Sequence, residues 1–171
     1  MKILMFYPGH GLLAEPEPLG LECLAAMVPW CDVHIVDLRF DKESPRQAIE
    51  RVRPRVVAVT ATTMCVYQAQ DVLQTAKRID PEIFTVVGGS HASSWPGDFN
   101  LPFVDAIVLG LGEIAFRELI ETLSNGGDLG AIQGLVLPDP HTAPHGPPRT
   151  TPARPIKCDL DALPFPRRDL T

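Results

Sequence analysis

The chain has 171 residues, 45 % of them hydrophobic, and a formal net charge of -6. This length and apolar content suit one globular domain with a buried core, and the acidic balance excludes a nucleic-acid binder that relies on a basic surface. No apolar stretch reaches the roughly 18 residues that a membrane span needs, and the 4 cysteines form no C-x-x-C pair that would seat a metal cluster. We therefore predict a cytoplasmic protein without a disulfide framework.

Apolar runs alternate with amphipathic helical patterns along most of the chain. In chain order, the predicted strands are Ile3–Tyr7, Val33–Asp37, Val56–Thr60, Phe84–Gly88 and Val104–Gly110. The predicted helices cover residues 19–28, 45–52, 66–79 and 113–124. Strands this apolar suit a parallel sheet that is covered on both faces. The alternation predicts an α/β fold of the flavodoxin-like (Rossmann-like) type, with a doubly wound sheet of five parallel strands in the order 2-1-3-4-5.

The C-terminal part of the chain differs in composition, since 9 of the 18 prolines fall from Pro138 onward. The stretch IQGLVLPD can add one edge strand, because proline is excluded from a central strand. The proline-rich residues that follow have too little apolar content to form a core and are predicted to be extended. We expect a domain at residues 1–137 and a proline-rich linker at residues 138–171.

The carboxyl ends of the predicted strands carry glycines, threonines and a histidine, and in a doubly wound sheet these ends form the ligand-binding edge. Glycine lets the backbone approach a ligand closely, and threonine hydroxyls bond to hydroxyls, amides or phosphates. Three such loops at one edge favour a binding site over simple turns. The candidate binding residues are Thr60, Thr62 and Thr63 after strand three, Gly88, Gly89 and His91 after strand four, and Gly110, Gly112 and Glu113 after strand five.

Two other uses of such a fold fit these residues poorly. The stretch GHGLLA matches the dinucleotide-binding pattern G-x-G-x-x-A, and Asp37 ends the second strand near the spacing of a ribose-binding carboxylate. Pro16 and Pro18 follow that stretch, and they delay the helix whose first amides would hold a pyrophosphate. A phosphoacceptor receiver domain needs acidic residues after strand one and an aspartate after strand three, where this chain has Pro8-Gly9 and Thr60.

Seven motifs follow one another along essentially the whole chain: LGLECLAA, VDLR, VTATT, VVGGSHAS, VDAIVLGLGEIAFREL, IQGLVL and LDALPFPRRDL. This series resembles the cobalamin-binding domains of cobalamin-dependent radical SAM enzymes. That family includes methyltransferases and the oxygen-independent cyclase of bacteriochlorophyll synthesis. The fifth loop commonly reads G-E-G-E in the family, and here Leu111 replaces the first glutamate.

The resemblance implies that the strand-end loops, with the nine residues named above, hold the nucleotide tail of cobalamin and one face of its corrin ring. Another group of cobalamin domains, similar to methionine synthase, supplies a histidine to cobalt from the motif D-x-H-x-x-G. Around His10, this chain has Pro8 and Leu13 in place of that aspartate and glycine. Without the carboxylate that would orient the imidazole, we predict that His10 does not coordinate cobalt.

The resemblance further implies a radical SAM domain that binds S-adenosylmethionine and an iron–sulfur cluster, for which these 171 residues contain no C-x-x-x-C-x-x-C motif. The predicted function is therefore a cobalamin-binding module of a radical SAM enzyme, most simply a methyltransferase. Its partners would be cobalamin and the radical SAM domain, and the module would have no catalytic or metal-ligating residue of its own. Two alternatives stay open: a flavodoxin-like domain for a nucleotide or flavin, and a non-catalytic interaction or regulatory module.

Overall fold

The computed structural model describes residues 1–9, 17–139, 149–155 and 159–171. Within these ranges the chain forms seven strands and five α-helices. The strands are β1 (Lys2–Tyr7), β2 (Asp32–Asp37), β3 (Val56–Thr60), β4 (Phe84–Gly88), β5 (Ala106–Val108), β6 (Leu135–Leu137) and β7 (Arg149–Thr150). The helices are α1 (Leu19–Ala26), α2 (Pro45–Val52), α3 (Val66–Ile79), α4 (Ser90–Ser94) and α5 (Glu113–Asn125). The prediction for His10 falls outside the described residues.

The strands form a single sheet in the order β2-β1-β3-β4-β5-β6-β7. Strands β1 to β5 run parallel, whereas β6 is antiparallel to β5 and β7 is antiparallel to β6. The predicted α/β class with a mainly parallel sheet is confirmed, but the prediction of five strands in the complete order 2-1-3-4-5 is wrong. The further strand predicted in IQGLVLPD is present as β6, but it is not an edge strand, because β7 pairs on its outer side. Strand β7 has only 2 residues, which is too short to show an alternating pattern.

Helices cover both faces of the sheet, and each face has its own hydrophobic layer. On one face, Val57 of β3 packs in a cluster with residues of α2 and α3. On the other face, Ala58 packs in a cluster with Leu21 of α1 and Phe116 of α5. Because neighbouring residues of a strand point to opposite faces, Thr60 at the end of β3 lies on the same side as Ala58. The end of β3 is thereby directed toward α1 and α5.

Local chemistry sets the starts of the first two helices. The predicted start of the first helix at residue 19 is confirmed, since α1 begins at Leu19 directly after Pro18. Helix α2 begins with a capping box, in which Ser44 Oγ accepts from the Gln47 N–H at 3.3 Å and Gln47 Oε1 accepts from the Ser44 N–H at 3.0 Å. No helix in the described ranges is both long and apolar enough to cross a bilayer.

Described parts of the predicted linker contact the rest of the fold. Strand β7 pairs with β6, and the buried Thr151 hydroxyl lies 2.9 Å from the N and 3.0 Å from the O of Leu135. Near the end of the chain, Leu170 packs beside the hydrophobic layer of α1 and α5. The Thr171 hydroxyl donates to the buried carboxylate of Glu22 at 2.5 Å. The domain boundary after residue 137 stays a prediction, and some of the described residues beyond it contact the sheet and α1.

Candidate functional site

An apolar groove of about 180 Å³ opens at the carboxyl edge of the sheet, between α1 and the start of α5. We call it the rim groove. Strands β3, β4 and β5 form its floor through Ala58, Val86 and Val108, and Leu24 of α1 and Phe116 of α5 line its sides. An apolar cleft with a few polar groups at its mouth is typical of a pocket for an organic ligand.

The structure brings six of the nine predicted binding residues together in the rim groove. These six are Thr60, Gly88, Gly89, Gly110, Gly112 and Glu113. Thr62 and Thr63 lie in the adjacent loop after β3, His91 lies on α4, and none of the three lines the groove. Sequence reasoning missed the contribution of α1, because an amphipathic pattern shows which face of a helix is buried but not where a gap is left beside it.

Glycine at the start of α5 lets this helix approach β5 and α1 closely. A Cβ atom on Gly112 would lie 3.3 Å from Val108 Cγ1 and 3.5 Å from Leu24 Cδ2, both of which line the rim groove. The next residue, Glu113, places its half-buried carboxylate at the N-terminus of α5, where the helix dipole stabilises negative charge. Burial raises the pKa of the nearby Cys23 thiol, and Glu113 raises it further. The thiol on this side of the groove is therefore protonated at neutral pH.

Gly89 connects β4 to α4 with a backbone conformation that residues with a side chain rarely adopt, since its φ is +99°. A Cβ atom here would lie 2.7 Å from both Ala61 O and Thr60 Oγ1. Two hydrogen bonds join the same loops: Ala61 N–H donates to Gly88 O at 2.8 Å, and His91 N–H donates to Ala61 O at 3.0 Å. The loops after β3 and β4 therefore form one closely packed unit at the mouth of the groove.

The ring of His91, a predicted ligand contact, is buried, and both of its nitrogens are engaged within the protein. Nδ1 lies 3.1 Å from Thr63 Oγ1, and Nε2 lies 2.9 Å from Asp98 Oδ2. The ring of Phe99 packs edge-on, with 6.2 Å between the ring centroids. Sequence reasoning did not identify Asp98, because it follows α4 in a separate 3-10 turn and shares no periodic pattern with His91. His91 is thus placed to orient its neighbours, and its role in ligand contact stays a prediction.

Ser93 of α4 is a second residue that the sequence did not reveal. Its hydroxyl donates to Gly89 O at 2.9 Å and accepts from the N–H of Gly110, also at 2.9 Å. Helix α4 has only 5 residues, too few to show a helical period in the sequence. Through Ser93 and His91, this short helix connects the loops that follow β3, β4 and β5.

Replacing Ser93 by alanine is expected to loosen the loop after β5. The Gly110 N–H would lose its protein acceptor, and water would substitute for it because this amide is exposed. We expect the free energy of unfolding in urea to fall by only about 0.5–1 kcal/mol, while ligand affinity at the groove falls several-fold as Gly110 becomes less ordered. Ser94→Ala, one position further along α4, is the control and should change neither quantity. Equal effects of the two substitutions would contradict this role of Ser93.

The carboxylate of Asp37, which a dinucleotide-binding domain would use to bind a ribose, is occupied by Arg39. Arg39 Nε lies 2.9 Å from Asp37 Oδ1, and Nη2 lies 2.6 Å from Oδ2. The guanidinium also lies over the rings of Tyr7 and Phe40, at 4.6 and 4.9 Å from their centroids. The Arg39 side chain is only 3 % exposed. A ribose would have to disrupt a buried ion pair here, so the structure disfavours the dinucleotide alternative.

Among the described residues, no group of three or more His, Cys, Asp or Glu side chains is arranged to hold a metal ion. The sulfur of Cys65 is buried and accepts a long hydrogen bond of 3.4 Å from the Thr62 hydroxyl. The neighbouring Met64 is exposed at the same edge. The described edge thus offers glycine backbone, hydroxyls and apolar surface, which suit an organic ligand better than a bare metal ion.

Comparison with known proteins gives a family match over residues 12–120, to the B12 binding domain. The chain is 37 % identical over 162 residues to an uncharacterized methyltransferase of Pyrococcus horikoshii. This match covers 90 % of this chain and 34 % of that protein. It is 33 % identical over 179 residues to the anaerobic magnesium-protoporphyrin IX monomethyl ester cyclase of Rubrivivax gelatinosus. That match covers 95 % of this chain and 32 % of the cyclase. The chain therefore spans about a third of the length of these curated relatives.

Among solved structures, the cobalamin-dependent S-adenosylmethionine radical enzyme OxsB with aqua-cobalamin bound matches with a TM-score of 0.79 at 16 % identity. The match covers 99 % of this chain and 24 % of that chain, and at this identity it shows the fold alone. Family membership follows from the match over residues 12–120, which spans most of the chain and includes every residue named above as lining the rim groove. The chain belongs to the B12-binding domain family.

Proposed function

We propose that this chain is the cobalamin-binding module of a radical SAM enzyme and that it holds its cofactor at the rim groove. The observation that carries the proposal is the groove itself, an apolar cleft that opens among the threonine-bearing end of β3 and the two glycine-bearing loops after β4 and β5. Cobalamin makes two different demands on a protein. Its nucleotide tail ends in an apolar aromatic base, whereas its corrin ring is broad and fringed with carboxamides.

The rim groove suits the base of the nucleotide tail. Its lining is mainly apolar, so a flat aromatic base entering it would lose water from both of its faces, at a gain of about 25 cal/mol for each Å² of apolar surface buried. Thr60 stands at the mouth opposite Gly88 in the register of β3 and β4. Its hydroxyl is therefore available to the oxygens of the tail, while the glycine leaves room for the tail to pass.

The corrin ring then lies over the loops after β3, β4 and β5, outside the groove. These loops are joined by hydrogen bonds through α4, so they form one platform before the ligand arrives. A preorganised platform reduces the ordering cost of binding. Thr63 and His91 belong to this platform rather than to the groove.

The reaction of the whole protein is proposed from the relatives. The reaction would be methyl transfer, as the methyltransferase names of several relatives suggest, and bound cobalamin would supply the cobalt that carries the methyl group between S-adenosylmethionine and a substrate. A separate radical SAM domain, reached through residues 138–171, would supply the iron–sulfur cluster and the S-adenosylmethionine site. The present chain would contribute the binding and orientation of the corrinoid.

The binding proposal is tested by incubating the chain with hydroxocobalamin, removing free ligand by gel filtration and recording the visible spectrum. We expect the protein fraction to retain close to one equivalent of corrinoid. Parallel incubations with flavin mononucleotide and with NAD⁺ serve as comparisons and should leave the protein colourless and free of nucleotide. Retention of flavin instead, or of none of the three ligands, would contradict the proposal.

A further inference from the structure

Three side chains form a hydrogen-bonded chain from the exposed Thr63 through the buried His91 to Asp98, and we call them the relay. Thr63 Oγ1 lies 3.1 Å from His91 Nδ1, and Asp98 Oδ2 lies 2.9 Å from His91 Nε2. The imidazole is 7 % exposed and the carboxylate side chain 56 % exposed. Gln70 Nε2 donates to the backbone oxygen of Asp98 at 2.9 Å, which fixes the outer end of the relay against α3.

The carboxylate determines the direction of the hydrogen bonds in the relay. An ionised carboxylate only accepts, so the ring nitrogen beside Asp98 carries a proton. In the neutral ring the other nitrogen, Nδ1, then has a lone pair and can only accept. The neighbour of Nδ1 is the hydroxyl of Thr63, which must therefore donate its single proton to His91.

Thr63 is left with lone pairs alone to offer to a ligand. It opens the 3-10 turn Thr63–Cys65, directly after β3 and at the same edge of the sheet as the rim groove. A ligand group that binds here must bring its own N–H or O–H. A carboxylate or phosphate oxygen would face another lone pair without a proton between them, which leaves both groups unsatisfied.

We propose that Asp98 and His91 position the Thr63 hydroxyl as a hydrogen-bond acceptor that selects a carboxamide N–H at the edge of the corrin ring over a carboxylate. The inference rests on the proposed function, since it concerns the part of the same ligand that lies outside the rim groove. In it, His91 is a positioning residue and Thr63 is the contact that determines specificity. The preferred ligand is thus a corrinoid whose side-chain acids have already been converted to amides.

Two ligands separate this selectivity from binding at the groove, because neither has a nucleotide tail. Cobinamide carries carboxamides around the ring, and cobyrinic acid carries carboxylates at the same positions. Titration of the full chain at about pH 8 is followed by the visible absorbance of each ligand. We expect wild-type protein to prefer cobinamide, Thr63→Val to bind it about tenfold more weakly, and Thr63→Ser to behave as wild type.

Substitution of His91 is expected to change the affinity for cobyrinic acid rather than the affinity for cobinamide. His91→Leu removes the acceptor of the Thr63 proton, so the hydroxyl becomes free to donate. We expect the affinity for cobyrinic acid to rise several-fold, while that for cobinamide stays within about threefold, because Thr63 can still accept. A purely structural role of His91 would instead weaken both ligands in parallel, and that result would overturn the proposal.

The tautomer of His91 provides a test on the ligand-free protein, so it does not depend on the binding properties of any variant. In protein labelled with ¹⁵N-histidine, the His91 resonances are assigned by their absence from the spectrum of His91→Leu. We expect the proton on Nε2 in the wild type, and a proton on Nδ1 would overturn the proposal.

Equal affinity of wild-type protein for cobinamide and cobyrinic acid would also overturn the proposal and leave the proposed function intact. Failure to bind hydroxocobalamin as well as cobinamide would overturn both.

Discussion

Substitution of Gly89 by alanine is expected to destabilise the fold and to abolish corrinoid binding. Its φ of +99° and ψ of 179° lie in a backbone region essentially confined to glycine, and this conformation costs a residue with a side chain about 1–3 kcal/mol. The new Cβ atom would also lie 2.7 Å from Ala61 O and from Thr60 Oγ1, and the backbone oxygen cannot move without breaking its hydrogen bond to the His91 N–H. We expect the free energy of unfolding to fall by about 3 kcal/mol or more, measured by urea denaturation.

Gly110→Ala is the matched control for this prediction. Gly110 also has a positive φ, of +69°, but a Cβ atom on it would have no heavy atom within 4 Å. Its substitution should therefore cost only the backbone term of about 1–2 kcal/mol, with the loops after β3 and β4 left intact. The difference between the two variants measures the close packing of the β3 and β4 loops together with the extra backbone cost of the glycine-only region at Gly89. Equal losses of stability would show that this packing contributes nothing.

The parts of the fold that the sequence predicts are those with long, uninterrupted patterns. Strands β1, β3 and β4 contain 5 or 6 mostly apolar residues, and α3 repeats apolar residues over 14 positions. Such segments bury a whole face, so hydrophobic burial and secondary structure agree. The segments that the sequence missed, α4 and β7, are held by individual hydrogen bonds, such as those of Ser93 to Gly110 and of Thr151 to Leu135. These tertiary bonds join residues far apart in the chain and have no local signal.

The candidate site likewise has a part that the sequence predicts and a part that it does not. The rule that ligands bind at the carboxyl ends of parallel strands selected the loops, and six of the nine residues chosen from them line the rim groove. The partners of His91 could not be derived, because Thr63 and Asp98 reach it from elements that are separate in the sequence. The side wall formed by Leu24 of α1 was missed for a related reason. It depends on how closely α1 and α5 approach each other over β3, β4 and β5, which sequence periodicity does not encode.

Filling the rim groove is expected to separate binding of the nucleotide tail from binding of the corrin ring. Ala58 lies on the groove floor, between Met5 and Val86 in the register of the sheet. In Ala58→Leu, the three added carbon atoms would project into the space between α1 and α5. A buried aromatic group removes roughly 150–250 Å² from water, so exclusion of the base should cost about 3 kcal/mol or more of binding free energy. We expect the affinity for cobalamin to fall by about 100-fold or more, measured by titration with hydroxocobalamin.

Cobinamide is the ligand control for Ala58→Leu, because it lacks the nucleotide tail and should bind wild type and variant within about threefold of each other. Val57→Leu is the protein control: it enlarges the neighbouring residue of β3, which packs in the cluster of the opposite face. That variant tests whether a larger side chain in β3 weakens cobalamin binding through strain in the core, which costs typically about 1–3 kcal/mol of stability. If Ala58→Leu weakened both ligands equally, or neither, the tail would not occupy the rim groove. Selective loss of cobalamin would place the base between α1 and α5, because the two ligands share the corrin ring and differ in the tail.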